Sequence, residues 1–359
     1  MTPLTTLQTP GISRKQATFG TLMIITFFFI ASTPFMSWAS LPGEEGWEAP
    51  LGLDSNAIVI PKDNPMTKEK VELGQLLFFD KRLSKNNTIA CGSCHIPSLA
   101  FTDGQPVSTG IHRLQGGRSA PASINRLFSS AQFWDGRAAT LEDQSTGPFA
   151  NLIEHGFANH DELVAKTKTI EGYKALFQQV FQGPITKDRI GQAIASFQRT
   201  LLSGNSPYDK FNSGKDPNGL SANAQKGLEI FRGKALCFTC HSGANFTDEK
   251  FHNLGVDWDS DHVDLGRYSV TKKPKDMGAF KTPTLREITR TAPYMHDGRF
   301  GTLRQVVDFY DQGGIANPHK DPFMQPLKLS NQEKEDLVEF LHSLNGEGWQ
   351  MNPPTIFPK

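Results

Sequence analysis

Residues 90–104 read ACGSCHIPSLAFTDG. Cys91, Cys94 and His95 form a Cys-x-x-Cys-His unit. The unit recurs in residues 234–243, KALCFTCHSG, as Cys237, Cys240 and His241. The chain has four cysteines, so the two units use them all. Three chemistries employ such pairs. Two pairs can close one tetrahedral zinc site. Each pair can act as a redox dithiol. Each can also attach a c-type haem, with two thioethers to the porphyrin edge and the histidine under the iron. Only the last needs a histidine directly after the second cysteine. Both pairs have one, although the chain has just 10 histidines in 359 residues. One covalent haem c per unit is the reading that uses every residue of the motif.

Haem c is attached outside the bacterial cytoplasm, so an export signal is expected. Arg14 and Lys15 precede an apolar run, residues 19–31, FGTLMIITFFFIA, and the small-residue site SWA ends at Ala39. Thirteen residues fall short of the ~20 that span a bilayer, and the pattern reads as a cleaved secretory peptide over residues 1–39. Periplasmic localisation follows as an expectation. The chain carries 37 basic and 37 acidic side chains, of which two basic ones lie in the first 39 residues, leaving a formal −2 beyond them. Nothing in that balance suggests nucleic acid.

The sequence is doubled. GQLLFFDKRLSKNNTIACGSCH (74–95) echoes GLEIFRGKALCFTCH (227–241), and QFWDGRAATL (132–141) echoes YMHDGRFGTL (294–303). In both halves a Gly-x-x-Leu/Ile-Phe pattern with helical spacing runs into the haem motif, with Thr67 and Ser221 as expected N-caps. NSGKDPNG (212–219) suits a connector. Two haem domains are expected, over residues 40–215 and 216–359. Residues 330–345 have a capping box, Ser330 with Glu333, and a stripe of Leu337, Phe340, Leu341 and Leu344. Similar helices are expected over 161–181 and 186–202. Strand-like alternation is scarce. The predicted fold is all-α: two cytochrome c-like haem domains in tandem, joined by long Gly/Pro-rich loops.

Between the haem motifs, residues 132–154 place Gln144 and Glu154 ten positions apart. A carboxylate can accept a proton from an incoming peroxide oxygen and return it to the departing one, while an amide orients the molecule. On residues alone the pair reads equally as a solvated glutamine and glutamate.

Taken together, the two haem motifs, FTDG (101–104), FWDGR (133–137), Leu141-Glu142-x-Gln144-x-x-Gly147-Pro148 and KTPTLREITRTAPYMHDG (281–298) resemble the bacterial dihaem cytochrome c peroxidase family, which includes MauG and its relatives. The resemblance runs from about Leu73 to Leu344. It implies a peroxidatic first haem and an electron-transfer second haem. Gln144 and Glu154 match the family's distal catalytic pair, Pro148 a residue lining that pocket, and Trp134 the tryptophan between the haems. The family often has Glu-Met-Gly where this chain has Glu154-His155-Gly156. In some members a histidine on the loop after the first motif caps the iron. His112 stands near that position, and an open iron is the expectation here. In peroxidase members a methionine 14 residues after the histidine of APYxHDG ligates the second iron. Counting from His296 gives Tyr310, as in MauG-type members, with Met277, Met295 or Met324 as the other ligands to weigh. The family's interdomain calcium would meet Ser119, Thr291 and Pro293, with Ser119 replacing an asparagine.

The resemblance implies an oxidoreductase that reduces hydrogen peroxide at the first haem with electrons delivered through the second. A small periplasmic redox protein, a cytochrome c or a cupredoxin, would supply them. The other readings are MauG-type oxidation of side chains on a partner protein substrate, and a plain dihaem electron carrier. A homodimer is compatible with the family.

Overall fold

The computed structural model describes residues 40–58 and 60–359, besides Met1 and Pro3. The expected export signal otherwise lies outside the described residues. Helices carry the structure. They are α1 (Lys68–Phe79), α2 (Cys91–Cys94), α3 (Leu141–Thr146), α4 (His160–Lys168), α5 (Glu171–Phe181), α6 (Lys187–Gln198), α7 (Pro207–Asn212), α8 (Ala222–Arg232), α9 (Tyr268–Thr271), α10 (Leu303–Asp311) and α11 (Asn331–His342). The all-α expectation needs one amendment. A two-residue antiparallel ribbon pairs β1 (Phe251–His252) with β2 (Phe280–Lys281), in the register Phe251 to Lys281.

The helix starts follow from side-chain caps. Thr67 accepts from the Lys70 N–H, Ser221 from the Ala224 N–H, and Ser330 and Glu333 cap each other reciprocally. Each cap contributes about 1 kcal/mol. The expected helix over 161–181 is broken in two. Ile170 turns inward, buried and extended (φ −102°, ψ 101°), and Gly172 donates its N–H to the Lys359 carbonyl at 2.6 Å.

Two apolar cores result. The first gathers Val71, Leu77 and Phe78 of α1, Tyr173 and Phe177 of α5, and Ile190, Ile194 and Phe197 of α6. The second gathers Leu228 and Phe231 of α8, Leu303 and Val307 of α10, and Leu337, Phe340 and Leu341 of α11. The sequence repeat becomes a repeat of packing. In each half, the helix leading into the haem motif crosses the last long helix at a glycine. A Cβ on Gly74 would stand 1.9 Å from the Ala193 carbonyl, and one on Gly227 would stand 1.9 Å from that of Asp336. The Asp-Gly-Arg motifs make the same tight turn twice. Gln132 bridges Ala138 and Tyr294 bridges Phe300, with Gly136 at φ +67° and Gly298 at φ +65°. The final residues cross back from the expected second half. Trp349, Met351 and Phe357 pack on the first core.

Candidate functional site

Each Cys-x-x-Cys-His unit opens onto its own cavity. The first cavity, about 540 Å³, is lined by Cys91, Cys94 and His95. The second, about 220 Å³, is lined by Cys237, Cys240 and His241. The pairs therefore cannot close a single zinc site. Burial pushes the Cys91, Cys94 and Cys237 thiols up to about 12, far from the thiolate that a redox dithiol needs.

The histidines are prepared as ligands in the same way. The N–H of His95 donates to the Cys91 carbonyl, and that of His241 to the Cys237 carbonyl. The His95 Nδ1 faces the Phe101 carbonyl at 2.8 Å, and the His241 Nδ1 faces the Phe246 carbonyl at 3.0 Å. A carbonyl partner requires Nδ1–H, which leaves the Nε2 lone pair free for a metal. Burial lowers both imidazole pKa values, that of His241 to about 4, and keeps the rings neutral. Free Nε2 atoms and paired thiols on the wall of a cavity fit one haem at each unit.

The first cavity brings the expected distal residues together. Gln144, Pro148 and Glu154 line it with His95. Glu154 sits at the end of a turn built on Pro148, whose carbonyl accepts from the Asn151 and His155 N–H groups. Its Oε1 accepts from the Asn151 amide at 2.7 Å. Burial raises the Glu154 pKa, against the pull of Arg137 and Asn151. Gln144 is held from behind. The Gln198 Nε2 donates to the Gln144 Oε1 at 3.3 Å and to the Ser145 hydroxyl at 3.0 Å. The next residue, Arg199, grips Glu142 with bonds of 2.7 and 3.1 Å. Two adjacent residues at the end of α6 thus fix α3, and the Gln144 amide N–H₂ is left for the cavity.

His112 does not join this site. It is exposed, at φ +53°, and lies outside the cavity lining. The cause is the bolting of its loop to the Glu154 segment. Ile111 N–H donates to the Ile153 and Glu154 carbonyls, and Gly110 presses so close that a Cβ would stand 1.9 Å from the Ile153 carbonyl.

Tyr310 does line the second cavity, as do Met295 and Met324, whereas Met277 does not. Burial raises the Tyr310 phenol pKa, with Cys237 and Cys240 adding to the effect. Ser119, Thr291 and Pro293 share one wall there. The oxygens expected to meet calcium are the Ser119 hydroxyl and the Thr291 and Pro293 carbonyls, out of the six to eight that calcium takes. The Thr291 hydroxyl donates to the Ile288 carbonyl, and the Ser119 carbonyl, rather than its hydroxyl, accepts from Trp134 Nε1 at 2.9 Å. Trp134 lines both cavities.

The residues that sequence reasoning missed are Gln198, Asn151, Arg137 and Arg126. The first lies 54 positions from its partner, and no local pattern marks it. Arg137 could have been found within the Asp-Gly-Arg motif.

Comparison with known proteins settles the family. The family model described as di-haem cytochrome c peroxidase matches residues 68–217. The methylamine utilization protein MauG of Methylophilus methylotrophus is 38% identical over 342 residues, covering 93% of this chain and 98% of that one. The chain belongs to the di-haem cytochrome c peroxidase family. The cytochrome-c peroxidase IdrP1 of Pseudomonas sp. (strain SCT) is 36% identical over 320 residues, 80% of this chain and 84% of that one. A crystal structure of a MauG-like protein associated with microbial copper homeostasis superposes with a TM-score of 0.76 at 34% identity, covering 86% of this chain and 97% of that one. Membership makes the chain an oxidoreductase of the peroxidase type with two haem cofactors and a helical, cytochrome c-like fold.

Proposed function

We propose that this chain is an exported, periplasmic protein with two covalent haems in tandem domains, and that it reduces hydrogen peroxide at the first. The observation that carries this reading is the convergence of Glu154 and Gln144 on the cavity of Cys91, Cys94 and His95. When bound there, the haem supplies the redox chemistry that cleaves the O–O bond. Glu154 takes the proton from the incoming peroxide oxygen and returns one to the departing oxygen. Gln144, its carbonyl held by Gln198, presents its amide N–H₂ to orient the peroxide. Pro148 adds an apolar wall. One peroxide, two electrons and two protons give two waters. Trp134, on the lining of both cavities, supports an electron route from the second site. A plain electron carrier needs no such acid–base pair.

Tyr310 favours a second reading. An oxygen ligand at the second site stabilises the oxidised state and suits storage of oxidising equivalents, to be spent on side chains of a partner protein. A methionine would suit a small redox donor.

The test adds stoichiometric peroxide to the fully oxidised, haem-loaded protein and follows optical and EPR spectra. A response of both haems together supports the partner-protein reading. A response only after the second haem is reduced by a small redox protein supports peroxidase turnover, with Met295 or Met324 in place of Tyr310. Glu154→Gln is expected to slow either response by roughly 10²–10⁴-fold with both haems retained. Unchanged reactivity in that variant would rule out the proton-transfer role.

A further inference from the structure

The two cavities meet at Arg126, which lines both. Its Nε donates to the Gln132 Oε1 at 3.1 Å, and an Nη donates to the Ser129 hydroxyl. Both partners are neutral. Among the described residues, no carboxylate lies within ion-pair distance of this guanidinium. The carboxylate nearest in influence, Glu249, is already committed. Its Oε1 accepts from the Lys281 ammonium at 3.1 Å and from the Ser129 hydroxyl at 3.2 Å, and its Oε2 accepts from the Ser130 N–H at 3.0 Å. Lys281 also lines the second cavity. Glu249 is thus taken up by Lys281, and Arg126 is left without an ion-pair partner of its own.

Arg126 is half-buried between the cavities, and a desolvated charge without a partner is unfavourable until a counter-charge meets it. Burial lowers the pKa of Arg126, and burial together with Arg126 lowers that of Lys281 to about 8. The missing negative charge must come from what fills the cavities. A haem carries two carboxylates on one edge, and an arginine fork matches a carboxylate with two parallel hydrogen bonds.

We propose that Arg126 is a carboxylate seat at the junction of the two cavities and holds a propionate of a bound haem. This rests on the haem reading above. A cation on a propionate disfavours the oxidised, more positive haem, so its removal lowers the midpoint potential of the haem it holds.

The experiment uses the full-length, haem-loaded protein. Haem content is measured by pyridine haemochrome, and each haem's potential is measured by redox titration with its own EPR signal as readout. Arg126→Gln is expected to keep two haems per chain and to lower a potential. Arg126→Lys, which keeps the charge, is expected to restore most of the shift. A shift confined to the first haem assigns the propionate there, one confined to the second assigns it there, and a shift in both makes the seat shared. Unchanged potentials in Arg126→Gln with both haems present overturn the seat and leave the haem reading standing. Absence of covalent haem from the unaltered protein overturns the haem reading instead. Should Arg126→Gln fail to mature, Gln132→Glu sets a competing carboxylate against the same guanidinium. It is expected to lower the same potential, and no shift there also overturns the proposal. Equal shifts in Arg126→Lys and Arg126→Gln show a packing role and overturn it too.

Discussion

His155 shows what one side chain does to the first cavity's tolerance of acid. It follows Glu154 directly, lines the first cavity and packs against Phe149 in a tilted arrangement, with ring centroids 4.4 Å apart. Its Nδ1 faces the Leu83 carbonyl at 3.0 Å, so Nδ1 carries a proton. Burial lowers its pKa from 6.5 to about 4. Between those values an unfolded chain binds a proton that the folded chain refuses. Stability therefore falls as the pH drops through this window, and the contribution of this residue to the loss is about 3 kcal/mol. Glu154 adds an acid limb of its own, to function. Its raised pKa places the loss of the carboxylate, and of its capacity to accept a proton, at a higher pH than for a free glutamate. Replacing His155 with methionine is expected to flatten the acid side of the stability profile while leaving the Glu154-dependent acid limb of peroxide reactivity in place. Denaturant melts across the window measure the first effect. A slope that is the same in both proteins would mean that His155 is protonated in the fold.

At the scale of elements, the two helix crossings at Gly74 and Gly227 oppose intrinsic propensity. In an exposed helix, glycine to alanine stabilises by about 1 kcal/mol. Here the added methyl meets a backbone carbonyl at 1.9 Å in each case, and the facing helix cannot rotate it away as it could a side chain. Overpacking of this kind costs roughly 1–3 kcal/mol, so Gly74→Ala and Gly227→Ala are each expected to lower the melting temperature. A rise in either would show that the helices sit farther apart. These elements were largely legible in the sequence, because N-caps, apolar stripes and the repeated Gly-x-x-Leu/Ile-Phe pattern are local signals. The Cys-x-x-Cys-His units are local signals too, whereas Gln144 and Glu154, which line the first cavity, stood out only through the family resemblance. The failures share one cause, which is contact between distant segments. Ile170 breaks a helix because the core and the C-terminal Lys359 claim its neighbourhood. His112 points outward because its loop is tied to Ile153 and Glu154. Gln198 and Arg126 acquire meaning only when α3 and the second cavity come to meet them.

At the scale of the molecule, one buried cation ties the chain's beginning to its second half. Arg286 and Asp209 pair with both side chains 1% exposed. The guanidinium makes two bonds to that carboxylate, at 2.8 and 3.0 Å, one to the Gly52 carbonyl at 2.9 Å, and bonds to the Ala244 carbonyl from Nε and Nη2. Four segments therefore converge: the N-terminal stretch at Gly52, helix α7 in the connector, the loop after the second haem unit, and the strand-free run that holds Arg286. Asp209 is also the acidic half of the capping box with Ser206 that starts α7. Breaking a buried pair by removing one partner costs about 3–5 kcal/mol, because the surviving charge stays desolvated, whereas replacing both with apolar groups is often neutral. Asp209→Asn is therefore expected to destabilise the whole fold by that amount. Arg286→Met combined with Asp209→Leu should cost less than the sum of the single changes, reduced by the strength of the pairing but not to zero, since the capping box and the carbonyl bonds are lost as well. Calorimetry on the haem-loaded protein separates the possibilities. A single transition shifted to lower temperature means the cluster holds both cores in one cooperative unit, while a split into two transitions means its contribution is confined to the half that melts first.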